Sequence, residues 1–458
     1  MDRKGIVTKM AVLYFGSFMC FGGSQLVVGF VYDAIGLYNL GQVNQFLIYI
    51  GFFVSTFFAK RMITYFKELK TTIFVGFMMY GFAILGAILT YGCYLGNAKE
   101  GICSVQVLRL LNYASNLLLG VAGAPLVWSG QYEMIDRLSN EEDSKEHFAI
   151  FYSTLQFNGV TGNLLNIIFY SFKLNTMVCF AVFYIGFNVS VFSFLCLIPS
   201  LNGFDMRTDK KGAASQEPVE LRQLNQVGEE AGKGTMKDSI MNGASLIAPE
   251  DIEKLGDHPT QTWQEEVMSV FKAGMLPKVR QLIPFMIQAG LYQGYLVGAI
   301  YRLVAKIYEG TGTEDVFVKK MISYVMITSA VASMSASQVV KRLKGNVRNW
   351  AIKISSVLVS VMMVLLYYFY DKIDDVTYVF EMVLIFGASD VCFNQLSSVY
   401  MSENYPGKLE AFSVFKQLQN SFTCIFMAIY IWLQPETFRV VNGISHMVLS
   451  VWLLISLR

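Results

Sequence analysis

The stretch TTIFVGFMMYGFAILGAILTYGCYL, residues 71–95, runs for 25 residues without one Asp, Glu, Lys or Arg. About 20 apolar residues in a helix are enough to cross the ~30 Å hydrocarbon core of a bilayer. Eleven other stretches of similar length and character follow the same pattern. The twelve predicted spans are residues 10–32, 43–59, 71–95, 105–128, 148–172, 175–198, 282–304, 321–340, 350–370, 376–400, 411–432 and 441–457. Because hydrocarbon offers no hydrogen-bond partner to the backbone, each span is predicted to be an α-helix.

The composition agrees with a membrane protein. Hydrophobic residues make up 54% of the 458 residues and charged residues only 15%, whereas soluble domains contain about 25% charged residues. The net charge of +2 gives no indication of a nucleic-acid partner. Seven scattered cysteines and three distant histidines form no metal-ligand spacing, so no cofactor or metal is predicted. Only Cys93 and Cys103 flank one short loop and could pair.

One long polar segment divides the spans into six and six. Residues 202–277 form this central loop, between an N-terminal six-helix bundle at 1–201 and a C-terminal six-helix bundle at 278–458. Its Gln, Glu, Gly and Lys content is typical of a flexible segment, which other membrane-protein subunits could contact. The stretch Trp263–Met275 at its end is amphipathic and is predicted to be a helix leading into the membrane.

Lysine and arginine predict the orientation. With the N-terminus inside, the inner loops and tails hold fifteen of these residues and the outer loops hold seven. Cytoplasmic loops carry such an excess. Both termini and the central loop are therefore predicted on the cytosolic side, or on the matrix side of a mitochondrial inner membrane. No outer loop carries a usable glycosylation sequon, which keeps an internal membrane open.

An internal repeat relates the two halves. The segment at 123–131, GAPLVWSGQ, aligns with GASDVCFNQ at 387–395, an offset of 264 residues. The same offset pairs Phe148 with Phe412 and Phe151 with Phe415. The fourth span thus matches the tenth, and the fifth matches the eleventh. Parallel repeats of six helices about an axis normal to the membrane describe the major facilitator architecture.

These segments resemble the Unc-ninety-three-like branch of the major facilitator superfamily. The resemblance lies in the segments at 123–131 and 387–395, in Phe148–Tyr152 with Gln156 and Gly162-Asn163-Leu164, and in Pro406-Gly407-Lys408 followed by Ala411-Phe412. It implies an all-α integral membrane protein with twelve transmembrane helices in two six-helix bundles. Several members of that branch resemble regulators or escorts of other membrane proteins.

The chain departs from the usual facilitator pattern in the loops that let the halves move. Facilitators resemble Gly-x-x-x-Asp-Arg-x-Gly-Arg between helices two and three. Here the segment 59–70, AKRMITYFKELK, keeps the positive charge but has neither the glycines nor the Asp. The segment 341–345, KRLKG, keeps one glycine and no acid. The lost pattern favours a role other than transport.

Ionisable residues inside a bilayer are costly, about 2.5–3.5 kcal/mol each on insertion scales, and are therefore candidates for function. Asp390 lies near the middle of the tenth span, with Asn394 on the same helix face and Gln395 close by. A coupling or substrate role and a structural polar clamp between helices both fit this pattern. Lys416, Gln419 and Asn420 form a polar stripe on the eleventh span.

Three further polar or charged residues are candidates beside Asp390. Gln131 is a polar position of the fourth-span motif. Arg109 and Glu381 lie near the outer ends of the fourth and tenth spans, where snorkelling to the headgroups is the simpler interpretation and binding a solute in a cavity is the alternative. The chain shows no catalytic constellation, and we predict that it is not an enzyme.

Two functions stay open. The first is a secondary transporter of a small solute, with a midplane cavity lined by the first, fourth, seventh and tenth helices. The second is a non-transporting accessory, scaffold or regulatory subunit of a larger membrane complex, such as a channel, receptor or respiratory-chain assembly. The loop departures favour the second function, and the two-fold layout favours the first.

Overall fold

The computed structural model of the chain describes residues 2–34, 37, 40–66, 68–96, 100–140, 143–200, 262–298, 300–343, 345–405, 409–432 and 435–457. Within these residues the regular structure is entirely helical. The helices are α1 (Arg3–Ala34), α2 (Leu40–Thr56), α3 (Ala59–Tyr65), α4 (Leu69–Leu95), α5 (Val105–Leu138), α6 (Ser144–Ser171), α7 (Thr176–Leu197), α8 (Trp263–Gly274), α9 (Pro277–Gly298), α10 (Ile300–Tyr308), α11 (Asp315–Val340), α12 (Gly345–Lys372), α13 (Val376–Asn404), α14 (Leu409–Trp432) and α15 (Pro435–Ser456).

Twelve of these helices coincide with the twelve predicted spans. Among the described residues, eight are long and apolar enough to cross a membrane by length and composition alone: α1, α4, α5, α7, α11, α12, α13 and α15. Helices α2 and α3, bent by 78°, pass the same test as a pair. The other three, α6, α9 and α14, do not meet this criterion within their described residues.

Helix contacts repeat between the two bundles. In the first six membrane helices, α1 packs on α6 and α7, α2 on α5, and α4 on α7. In the last six, α9 packs on α14 and α15, α11 on α13, and α12 on α15. The bundles meet where α6 contacts α11 and where α2 contacts α14. The helices that the sequence repeat paired therefore occupy equivalent places, as a two-fold arrangement requires.

Two glycines permit the tightest crossings of these equivalent pairs. Gly120 of α5 lies against the Ile48 carbonyl of α2, and Gly387 of α13 lies against the Ser329 carbonyl of α11. A Cβ atom at either position would overlap the facing backbone, so only glycine allows this approach. Each of α5 and α13 also contains one π-helical turn, at Leu119–Gly123 and Cys392–Leu396. Such turns shift the helix register and are frequent at functional sites.

The two faces of the molecule differ. We call the side on which α1 begins the terminus face, and the opposite side the far face. On the far face a disulfide joins Cys93 at the end of α4 to Cys103 just before α5, as the spacing allowed. On the terminus face, α8 begins with a capping box in which Thr262 and Glu265 bond each other's backbone N–H, and packs on α14. Residues 202–261 of the predicted central loop lie outside the described residues.

Candidate functional site

Asp390 joins the two bundles inside the molecule. Its Oδ1 accepts a hydrogen bond from Asn394 Nδ2 at 3.0 Å, one turn later on α13. Its Oδ2 accepts another from Gln156 Nε2 of α6 at 3.2 Å. Both carboxylate oxygens therefore have an amide donor, one from each bundle. The predicted pairing of Asp390 with Asn394 on one helix face is present in the structure.

Lys416 of α14 completes the site. Its Nζ donates to Gln419 Oε1 at 2.9 Å and lies 3.4 Å from Asn394 Oδ1. Gln419 Nε2 donates to the same Asn394 oxygen at 3.3 Å. The ammonium also lies 4.6 Å from the ring centre of Phe415. We call this set, Gln156, Asp390, Asn394, Lys416 and Gln419, the Asp390 network.

The network holds the opposite charges of Asp390 and Lys416 inside the molecule, without a direct ion pair between them. Asn394 stands between them, donating to Asp390 and accepting from Lys416. Lys416 and Gln419 are buried, whereas Asp390 and Asn394 are half-buried. A buried charge is tolerated when polar groups surround it, and both charges here have such partners. Gln156 provides the one hydrogen bond to this half-buried carboxylate that comes from the other bundle among the described residues.

The remaining predicted site residues lie elsewhere. Gln395 follows Asn394 but turns to α11, where its Oε1 accepts from Ser337 Oγ at 2.6 Å. Gln131 is fully buried in α5, and neither of its amide atoms has a hydrogen-bond partner in the described part of the chain. The side chains of Arg109 and Glu381 are exposed on the outside of α5 and α13. The structure does not bring these four residues to the Asp390 network.

Lys416 is the functional candidate that sequence reasoning did not join to Asp390. The signal was present, since a lysine inside an apolar span is costly and Gln419 follows it on the same face. However, Lys416 and Asp390 lie on different helices, and no spacing rule connects residues across a turn between helices. The described residues contain no group of three or more His, Cys, Asp or Glu side chains that could hold a metal ion.

Charged contacts close the terminus face between the bundles. Lys60 Nζ lies 2.8 Å from Glu410 Oε1, and Lys145 Nζ lies 2.8 Å from Glu403 Oε1. Ser402 Oγ donates to Asp136 Oδ1 at 2.7 Å across the same seam. The loop that lacks the facilitator glycines thus still supplies an ion pair between the bundles through Lys60.

Further from the terminus face the seam has fewer polar contacts. Gln293 Nε2 of α9 donates to Tyr49 Oη of α2 at 2.9 Å, and Gly159 of α6 faces the methyl group of Ala330 of α11. The prediction of a midplane cavity lined by the first, fourth, seventh and tenth membrane helices involves residues 26–27, 29–31 and 297–299, whose side chains are not among those that the structure describes. That prediction therefore stays a prediction.

Several solved structures to which the chain is similar are transporters. The chain is similar to a bacterial homologue of the iron transporter ferroportin in an outward-facing state, at 13% identity and a TM-score of 0.63, over 100% of this chain and 99% of that one. It is also similar to a POT family transporter in complex with 5-aminolevulinic acid (14%, TM-score 0.58, 98% and 95%) and to the human organic anion transporter MFSD10 (10%, TM-score 0.54, 98% and 98%).

The comparisons identify a fold. No protein-family model and no curated protein matches the chain. At these identities the solved structures establish the fold alone, which is the twelve-helix major facilitator fold of an integral, multi-pass membrane protein. The structures named here are transporters and not enzymes, in agreement with the sequence-based prediction.

Proposed function

We propose that the chain is a secondary transporter that moves a small polar solute by rocking two bundles, residues 1–201 and 278–458, against each other. The observation that carries this proposal is the hydrogen bond from Gln156 to Asp390, which joins a half-buried carboxylate of one bundle to the other. Similarity of the whole chain to solved transporters supports it.

The partners of each charge suggest how it would respond to movement. Lys416 is held by Gln419 and Asn394, which belong to its own bundle, so separation of the bundles leaves it satisfied. Asp390 would lose its donor from Gln156. A carboxylate left short of a donor in a low-dielectric site attracts a proton or a cationic group. We therefore propose that Asp390 couples bundle movement to a proton or to the solute, and that Lys416 favours a solute with a carboxylate.

This chemistry suits a small zwitterion. The test uses the purified full chain in proteoliposomes with an entrapped pH-sensitive dye and an imposed pH gradient. Amino acids, dipeptides and 5-aminolevulinic acid are added in turn, with empty liposomes as the control. We expect one class of solute to accelerate proton entry. No flux with any of these zwitterions would contradict the proposed solute class, and the next measurement tests movement without a solute.

Spin labels attached to the double variant Lys60→Cys, Glu410→Cys measure the distance between the two bundles at the terminus face. A rocking transporter predicts two populations of distance between the labels, one short and one longer, whose ratio changes with pH. Either single-labelled variant corrects for labelling of the native cysteines. One short distance under all conditions would contradict rocking. It would favour the alternative of an accessory or scaffold subunit, which mass spectrometry of natively purified material would then identify by its partners.

We further propose that the termini lie in the cytosol. The disulfide between Cys93 and Cys103 fits a far face in an oxidising compartment, and the excess of Lys and Arg fits a terminus face in the cytosol. An epitope added at the N-terminus should be reached by antibody after selective permeabilisation of the plasma membrane. Detection in intact cells would reverse the orientation.

A further inference from the structure

Four aromatic rings of the first bundle, residues 1–201, form a continuous surface that reaches the Asp390 network. They are Phe18 and Phe21 of α1, Tyr80 of α4 and Trp128 of α5, and we call them the aromatic wall. The ring centre of Phe18 lies 5.0 Å from that of Trp128 and 5.3 Å from that of Tyr80. Phe21 lies 4.8 Å from Tyr80.

Trp128 is held by its own bundle and turns a ring face to the other one. Its Nε1 donates a hydrogen bond to Tyr80 Oη at 3.2 Å. The ammonium of Lys416 lies over the indole ring, 5.8 Å from its centre. A cation at this distance is attracted by the electron-rich face of the ring. Each charge of the Asp390 network therefore meets the first bundle at one place, Asp390 at Gln156 and Lys416 at Trp128.

The aromatic wall is less closed than the packed interior behind it. Phe18, Phe21 and Trp128 are half-buried. The ring of Phe77, 5.9 Å from that of Phe18, is only 1% exposed. Because Trp128 lies beneath a lysine of the other bundle, its accessible surface borders the space between the bundles. The wall can therefore cover part of a molecule that enters this space.

The charges beside the wall restrict which molecule that is. In the proposed transporter, Lys416 favours the carboxylate of a zwitterion, and the side chain of the solute then lies toward Trp128. A cationic side chain would meet the positive charge of Lys416 there. An acidic side chain would meet the electron-rich ring face. A planar apolar side chain meets neither, and gains from burial against the rings.

We infer that the aromatic wall selects zwitterions with an aromatic side chain, which stacks on Trp128 while Lys416 holds the carboxylate. The inference rests on the proposed function, because it takes the Asp390 network as the site of the zwitterion. It goes further in assigning the side chain of the solute, and it makes Trp128 the residue that determines specificity.

The test measures solute-driven proton entry into proteoliposomes that contain the purified full chain. Phenylalanine, alanine, glutamate and lysine are compared by their KM values. We expect the KM of phenylalanine to be about tenfold below that of alanine, because ring stacking adds to apolar burial. Trp128→Ala should raise the KM of phenylalanine about tenfold and change that of alanine far less, whereas Trp128→Phe should keep most of the preference. Trp350→Ala, which removes a 60% exposed indole from α12, is the matched control and should change neither value.

The outcomes separate this inference from the proposed function. Equal KM values for phenylalanine and alanine, or a lower KM for lysine or glutamate, would overturn the aromatic preference and leave transport of a zwitterion standing. An equal effect of Trp128→Ala on both solutes would show that Trp128 supports the site and does not read the side chain, which also overturns the inference.

Absence of flux with every solute would count against transport, and binding would then decide the role of the wall. The same amino acids are tested for protection of the purified chain against thermal unfolding, since a ligand stabilises the state that binds it. Protection by phenylalanine over alanine, lost in Trp128→Ala, would support the aromatic wall as a binding surface. No protection by phenylalanine would overturn it. A single symmetrical peak on size exclusion confirms that each variant is folded.

Discussion

The two bundles share a framework, and one interior cluster from each of them shows different chemistry. In the first bundle, α1, α4, α6 and α7 meet around the rings of Tyr14, Phe77, Phe151 and Phe194, all at most 1% exposed. Tyr14 lies 4.8 Å from Phe77 and 5.1 Å from Phe151, edge to face. In the second bundle, α9, α12 and α15 meet around Gln288 and three serines.

The polar side chains inside the second bundle form hydrogen bonds with one another. Gln288 Nε2 donates to the Ser356 carbonyl at 2.9 Å and to Ser360 Oγ at 3.0 Å. Ser450 Oγ lies 2.8 Å from Ser356 Oγ and 2.6 Å from Ser360 Oγ. His446 on the same helix is fully buried. Hydroxyl and amide groups can exchange partners with little loss, whereas packed rings have one arrangement.

The shared framework shows in one matched contact. Tyr14 Oη of α1 donates to the Val127 carbonyl of α5 at 3.0 Å, and Tyr292 Oη of α9 donates to the Phe386 carbonyl of α13 at 2.9 Å. Equivalent tyrosines thus tie equivalent helices in both bundles. From these two clusters we expect the aromatic one in the first bundle to be rigid and the polar one in the second bundle, which also holds both charges of the Asp390 network, to adjust more readily.

The largest expected effect tests the rigid interior. Phe77→Ala should destabilise the protein by about 3–5 kcal/mol, because the surrounding rings cannot close the cavity that it leaves. Reversible unfolding in mixed micelles measures the change. Exposed Phe82, one turn further along α4, gives the control variant Phe82→Ala, which should cost much less. Equal losses would show that the aromatic cluster has no special role.

The second-largest expected effect tests whether Asp390 is required for transport. Asp390→Asn should lower solute-driven proton flux about 100-fold, which corresponds to roughly 2.7 kcal/mol, because the neutral amide can neither take up a proton nor attract a cation. Glu381→Gln, on the same helix but exposed, should leave the flux unchanged. Equal flux in Asp390→Asn and the parent protein would reduce Asp390 to a structural clamp between α6 and α13.

The sequence determined the framework more fully than the site. Length and apolarity predicted the spans, because hydrocarbon imposes both on every crossing helix. The spacing of Asp390 and Asn394 predicted their contact, because one helix turn fixes it. The disulfide partners Cys93 and Cys103 followed from their place on one short loop.

What the sequence missed depends on how helices face one another. Gln395 was expected near Asp390 but contacts Ser337, since consecutive residues on a helix point in different directions and a π turn begins at Cys392. Lys416 reaches Asn394 only because α14 packs beside α13. The exposure of Arg109 likewise depends on which side of α5 faces the bundle. None of these follows from periodicity within one span.

A smaller effect tests the adjustable interior. Gln288→Leu should destabilise the protein by only about 1 kcal/mol, since hydrogen bonds between membrane helices average about 0.6 kcal/mol and the serines keep one another as partners. The same unfolding measurement as for Phe77→Ala gives a direct comparison. A loss as large as that of Phe77→Ala would mean that the polar interior is as rigid as the aromatic one and would remove the contrast between the bundles.

The smallest effect concerns an exposed ion pair of the first bundle. Lys4 Nζ lies 2.7 Å from Glu146 Oε1 on the terminus face, with both side chains more than half exposed. This hydrogen bond lowers the pKa of Glu146 below its ordinary value of 4.5. A carboxyl group with a lowered folded-state pKa stabilises the fold above the unfolded pKa, and this stabilisation is lost as the pH falls through the folded value.

Glu146→Gln should therefore lower the melting temperature by at most about 2 °C at pH 7, since an exposed ion pair contributes little. The difference from the parent protein should shrink as the pH falls below about 4.5 and vanish only below the lowered folded-state pKa, where Glu146 is protonated in both states. Thermal unfolding across a series of pH values from 7 down to well below the ordinary pKa of Glu146 measures it, with Glu381→Gln as the exposed acidic control. A difference that does not decrease anywhere in this series would show that Glu146 acts through packing rather than charge. The first bundle would then depend on its rings and on the fit of its helices even at the terminus face.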